Sequence, residues 1–328
     1  MSMQFPAMLI LADAPDPHGL IYSALIAAVV LIAALFAGAF RPRKSPPPPR
    51  IDPGEPVELV WMIILLAFAA WILVPNILVA LVHGATAPPT NVSTTAPATT
   101  TATTTPTTAA AQALPDSLLV AVLLAGNLIV GCLLVGVNLR LRPGALQRMG
   151  FALSMLRTAI IPAILAALIV LPLTFFVTEI TQWLLYLLKF EHPTEHMLLR
   201  IFSEKDNPLL HAMIILSAVI VAPIVEEFLY RGHLQTALVS LLQRIRAKAQ
   251  LATTDLSGDR AIRWIAIVIT SIVFAAAHQE LWMMLPIFFL SLCLGYVYER
   301  TQNLWVTILL HLTFNAANVI LFVSQGSG

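Results

Sequence analysis

The sequence predicts an all-α fold, a polytopic membrane helix bundle with about eight transmembrane helices, and three observations carry that prediction. Of 328 residues, 59% are hydrophobic and only 11% charged, with a mean hydropathy of +0.86. A soluble domain carries roughly a quarter charged residues, so there is too little polar surface here to cover a water-soluble body. Apolar stretches near the ~20 residues that a ~30 Å hydrocarbon core requires recur along the chain, at about 20–40, 57–83, 117–137, 151–177, 208–230, 264–279, 282–298 and 304–323. The basic residues between them are sorted by side. The 18 Lys+Arg nearly balance 17 Asp+Glu, and a net charge of +1 gives no reason to expect a nucleic-acid partner.

Residues 1–19 lack the basic start of a secretory signal and contain Asp13 and Asp16, so they read as a short tail before a true first span. Ser45 to Pro49 is a proline run beside Arg41, Arg43, Lys44 and Arg50, and reads as a stiff connector near anionic headgroups. After the second span, Gly84 to Gln112 is almost wholly Thr, Ala and Pro without a charge, which predicts a disordered external loop. Asn91-Val92-Ser93 within it fits the glycosylation sequon. Thr178 to Phe190, with Trp183 and Tyr186 among leucines, reads as an interfacial helix or an extension of the fourth span. His192-Pro193-Thr194-Glu195-His196 satisfies HxxEH, but Pro193 is tolerated only in a first helical turn, so this segment is read as a loop rather than a metal site. Trp264, Trp282 and Trp305 fall at span ends, where belt residues sit. Cys132 and Cys293 both lie in apolar runs and form no CxxC pair, which excludes cysteine chemistry.

Lys and Arg accumulate in cytoplasmic loops. With both termini outside, the inner loops hold the four residues already named, then Arg140, Arg142 and Arg148, then Arg244, Arg246, Lys248, Arg260 and Arg263, and finally Arg300. The outer loops hold Lys189, Arg200 and Lys205. Arg157 and Arg231 remain within or beside spans, and Arg157 is one turn from an end, where it can snorkel. The organisation expected is a two-helix segment at 1–83, a linker at 84–115, spans three and four with the interfacial helix at 116–204, a polar-motif core at 205–323, and a tail at 324–328.

An ionised side chain at mid-bilayer costs about 2.5–3.5 kcal/mol, so those inside spans need a reason to be there. Glu226 and Glu227 continue an apolar run and are followed by Arg231 and Gly232. Glu227 and Arg231 are i,i+4 in the favoured acid-first order and can neutralise each other. Glu226 points about 100° away with no basic residue at i+3 or i+4, so it is left free to act as a general base. Taken alone, the group equally suits an anchored helix end. Phe274 and His278 share a helix face on the next span, as do His311 and Asn315 on the last. A single such residue in a membrane helix commonly serves packing. Three spans contributing one each suggest a shared polar interior.

Glu226-Glu227-x-x-x-Arg231, Phe274-x-x-x-His278 and His311-x-x-x-Asn315, in that order on successive apolar segments, resemble the three motifs of the CPBP intramembrane protease family, which includes the CAAX prenyl endopeptidases and the Abi-type proteins. The resemblance spans about 205–323 and leaves the first two helices uncovered. It implies an intramembrane endopeptidase in which Glu226 and His278 activate a water while His311 and Asn315 hold the oxyanion, with Glu227, Arg231 and Phe274 in support. It also implies a membrane-embedded or lipidated peptide as substrate, with the lipid bilayer as surroundings. A bacterial cytoplasmic membrane is the expected location. Glu226, His278 and His311 also suit a divalent metal such as zinc whose water is the nucleophile, and the residues leave both routes open. The competing class is a non-catalytic scaffold or transporter-like protein using the same cluster for packing or ion passage.

Overall fold

The computed structural model describes residues 16–39, 41, 47–52, 54–86, 115–190, 197–204, 207–249, 256–278 and 280–326. These residues are overwhelmingly helical, without a strand among them. The helices are α1 Pro17–Phe36, α2 Val57–Thr86, α3 Asp116–Leu141, the short α4 Ala145–Arg148, α5 Leu156–Leu187, α6 Met197–Glu204, α7 Pro208–Lys248, α8 Leu256–Ala277, α9 Met284–Thr301 and α10 Leu304–Gly326. Eight of them, all except α4 and α6, are long and apolar enough to cross a membrane. The chain is an integral, multi-pass membrane protein. The Thr-rich stretch from 87 to 114, with its sequon, and the His192 to His196 segment lie outside the described residues.

Local chemistry sets the helix ends. Asp16 accepts from the His18 and Gly19 backbone N–H groups ahead of α1, and Asn207 does the same for Leu209 and Leu210 ahead of α7. In both helices a proline occupies the first position, where its missing N–H costs nothing. Gln302 takes the left-handed conformation, φ 56°, to end α9. Asn303 then caps α10 through the Trp305 N–H.

Of the two readings of Thr178 to Phe190, the structure has the extension of the fourth span: α5 runs on unbroken to Leu187, because nothing between 177 and 187 breaks it, and Thr174, Thr178 and Thr181 bond back to carbonyls four residues earlier. One expectation is corrected: Trp305 packs into the bundle rather than standing free as a belt anchor. It stacks on Phe151 at 4.9 Å, Phe151 stacks on Phe228 at 4.8 Å, and the indole N–H donates to the Ala152 carbonyl. Trp264 is half exposed and stacks on Tyr296.

Helix α7 is the axis of the bundle, packed against α2, α3, α8, α9 and α10. The α5 helix covers α9 and α10, and α1 lies outside α5. At Gly295 the missing side chain lets α7, α8 and α9 meet, since a Cβ there would stand 2.9 Å from the Gln235 amide oxygen and 3.0 Å from Ile267. The main core gathers Phe228, Leu229 and Tyr230 of α7 with Ile64, Val130, Phe274 and Ile308.

Near residue 298, the end of the bundle richest in arginine is tied by buried ion pairs. Arg50 and Arg263 both bind Glu299, at 2.8 and 2.6 Å, and Gln235 donates to the same carboxylate. Glu55 pairs with Arg142, whose guanidinium also donates to Asn138. Burial opposes the Arg50 charge, but Glu299 and Tyr298 beside it outweigh that and hold its pKa above the ordinary value. The connector before α2 is thereby fastened to α3 and α9.

Candidate active site

The backbone of α7 departs from α-helical geometry on both sides of Glu226. It widens into π-type turns over Leu216–Val221 and Phe228–Gln235, leaving Ala222–Glu227 α-helical between them. Proline at 223 has no N–H to give. In a π turn the Ala218 carbonyl would look five residues ahead, to that proline, for its donor. The Asn315 side-chain amide supplies one instead, at 2.8 Å. In the second π segment the His233 ring donates from Nδ1 to the Phe228 carbonyl at 2.7 Å, and the Thr236 hydroxyl donates to the Arg231 carbonyl. Widened turns of this kind are frequent at functional sites.

The expected pair forms. Arg231 Nη1 donates to Glu227 Oε1 at 2.7 Å, and both side chains are wholly buried. The other guanidinium nitrogen, Nη2, donates to the Ser291 hydroxyl at 2.7 Å and to the Ser291 carbonyl at 3.2 Å. The Phe274 ring lies 4.7 Å from the guanidinium carbon, a favourable face for a cation.

His311 stands between the two glutamates. Its Nδ1 is 3.0 Å from Glu227 Oε1, the oxygen already held by Arg231, and its Nε2 is 3.9 Å from Glu226 Oε2. An ionised carboxylate only accepts, so Nδ1 carries the hydrogen and donates. Donation from Nε2 as well requires the doubly protonated ring. The 3.9 Å to Glu226 is beyond a direct hydrogen bond and within reach of one water. His278 follows the last residue of α8, and its Nδ1 faces the Phe274 carbonyl at 2.8 Å. A carbonyl cannot donate, so Nδ1 bears the hydrogen there too, and Nε2 of the neutral ring is an acceptor. The Phe274 ring touches both histidines, at 4.8 Å from His278 and 5.9 Å from His311 between centroids.

Arg231, His278 and His311 are therefore gathered around the Phe274 ring, with Glu227 bonded to Arg231 and His311 and Glu226 3.9 Å from His311, so that three helices contribute. Asn315 is one turn beyond His311 and spends one amide hydrogen on Ala218, two turns before Glu226 on α7; its second hydrogen remains to donate. Arg157 lies apart, exposed in the first turn of α5. Ser291 is a contributor that the sequence reading missed, and a lone serine in the apolar run 285–294 was the available signal for it.

Among the described residues, no group of three His, Cys, Asp or Glu side chains is placed to hold a metal ion. Nδ1 of His311 is committed to Glu227 and Nδ1 of His278 to the Phe274 carbonyl, so a metal ion could be taken only by Nε2 of each ring together with Glu226.

Residues 208–317 match the family of type II CAAX prenyl endopeptidases, Rce1-like. The segment is about a third of the chain and contains all three motifs, so the family resemblance read from them holds there. No curated protein and no solved structure matches the chain. The helices α1, α2, α3 and α5 lie outside the match.

Proposed function

We propose that the protein is an intramembrane endopeptidase that hydrolyses a peptide bond of a membrane-embedded or lipidated peptide, a CAAX-type prenylated peptide being the substrate class that the matched family's name suggests. The observation that carries this reading is His311 held between Glu226 and Glu227 against the ring it shares with His278. A water between Glu226 and the Nε2 of His278 gives one hydrogen to each. Glu226 takes the proton as the water oxygen bonds to the carbonyl carbon. The carbonyl oxygen then carries the negative charge. His311, doubly protonated with Nδ1–H held by Glu227, donates to it from Nε2 and the second Asn315 N–H donates beside it, each such donor being worth about 10²–10³ in kcat. Collapse breaks the C–N bond, and Glu226 returns the proton to the leaving amine.

Glu227 and Arg231 supply no group to the substrate in this scheme. They fix the His311 ring, much as a carboxylate orients imidazole in other hydrolases. The basic residues 41–50, 140–148, 244–263 and 300 support a topology with both termini outside, which we assign to a bacterial cytoplasmic membrane as part of this proposal.

The test uses the purified full chain in proteoliposomes with a farnesylated CAAX peptide and a library of short membrane peptides, read by mass spectrometry. Glu226→Gln, His278→Ala and His311→Ala abolish cleavage while the protein still inserts and folds. Wild-type turnover by Glu226→Gln overturns the scheme.

A further inference from the structure

The Tyr230 side chain is wholly buried, yet its hydroxyl has no hydrogen-bond partner among the described residues. A buried hydroxyl left unpaired is costly, so its partner has to come from water or a ligand. The ring is fixed from three sides, edge-on to Phe68 at 5.3 Å, to Trp71 at 6.1 Å and to Phe274 at 4.8 Å. Tyr230 follows Glu226 by one helical turn on the same face of α7, and its ring lies against the same Phe274 ring that both histidines touch. The phenol is therefore part of the wall shared by Phe274 and its two histidines. Glu227 Oε2 and Arg231 Nε, from the same stretch of α7, also lack a partner among the described residues. A polar locality of this kind is where bound water is expected.

We propose that the Tyr230 hydroxyl is a further catalytic group, holding the attacking water beside Glu226. This rests on the protease reading above. Water has four hydrogen-bonding positions. Its two hydrogens go to Glu226 and to His278 Nε2, Tyr230 donates to one lone pair, and the remaining lone pair faces the scissile carbonyl. During attack the water's O–H bond breaks toward Glu226 and the C–O bond forms. Tyr230 keeps its own proton throughout. Phe68 and Trp71, which set the angle of the phenol, come from α2, so a helix outside the family match shapes the site.

Tyr230→Phe removes one oxygen and leaves the ring contacts in place. We measure cleavage of the farnesylated CAAX peptide and of the peptide library by the wild type, Tyr230→Phe and Glu226→Gln, together with thermal unfolding of each. Tyr230→Phe is expected to keep or raise thermal stability, because no protein hydrogen bond is lost. Its kcat falls roughly ten- to a hundredfold with KM little changed, as for a misplaced reacting group. Wild-type kcat in Tyr230→Phe beside an inactive Glu226→Gln overturns the role of Tyr230 alone. Loss of thermal stability together with activity assigns the hydroxyl to packing and also overturns it. Full turnover in both variants, or a wild type that cleaves neither probe, overturns the protease reading and the Tyr230 role with it.

Discussion

Arg231→Met separates the electrostatic support of the site from its packing. The guanidinium is wholly buried, and its three hydrogen bonds run to Glu227 at 2.7 Å and to the Ser291 hydroxyl and carbonyl at 2.7 and 3.2 Å. Methionine preserves most of the contact with Phe274. What it leaves behind is the Glu227 carboxylate, wholly buried, with His311 as its remaining partner. Removing one partner of a buried pair costs about 3–5 kcal/mol, mostly through the stranded charge. Neutralising that charge in Glu227→Gln/Arg231→Met should recover a large part of the loss, leaving a coupling of about 2 kcal/mol or more. The assay is equilibrium unfolding of the full chain in mixed micelles, followed by helical signal, for the two single variants and the double. Peptide cleavage is read in parallel and should fall in all three, since Glu227 orients His311. Single-variant losses that add to within about 0.5 kcal/mol would refute the reasoning.

Other outcomes follow from separate parts of the molecule. Gly150 has φ 77°, and a Cβ there would stand 2.6 Å from the Asn303 Cα and the Gln302 carbonyl oxygen; Gly150→Ala should destabilise the chain by more than about 1 kcal/mol in the same unfolding assay. Asn315→Leu strands the Ala218 carbonyl opposite Pro223, at a cost of about 1–3 kcal/mol, and lowers kcat if its second N–H serves the oxyanion. Arg50→Ala frees the connector before α2 from Glu299 and should speed hydrogen exchange at the amides of Ile51, Asp52, Gly54 and Glu55 while exchange around Glu226 is unchanged. A chelator should leave peptide cleavage intact, and loss of cleavage restored by zinc would show that a metal site forms after all.

The sequence by itself determined the membrane fold, because hydrocarbon admits only helices and closed barrels, and apolar runs of about 20 residues have the length of helices and not of strands, so each of the eight could be counted by length alone. It also determined the Glu227–Arg231 pair, a local consequence of four-residue spacing on one helix. Which long segments break and which continue was less legible: α5 carries Pro162 and Pro172 and stays helical, whereas α7 widens twice around Glu226. The reason is tertiary. A carbonyl freed by Pro223 survives in a membrane only if another helix brings a donor, and that donor is Asn315 on α10. In the same way only packing could put His311 between two glutamates some 84 residues away, aim the Arg231 fork at Ser291, and bury the Tyr230 hydroxyl without a partner among the described residues. Spacing along one helix fixes neighbours within it. The depth, tilt and approach of separate helices depend on how all their side chains fit together, which no single stretch of sequence contains.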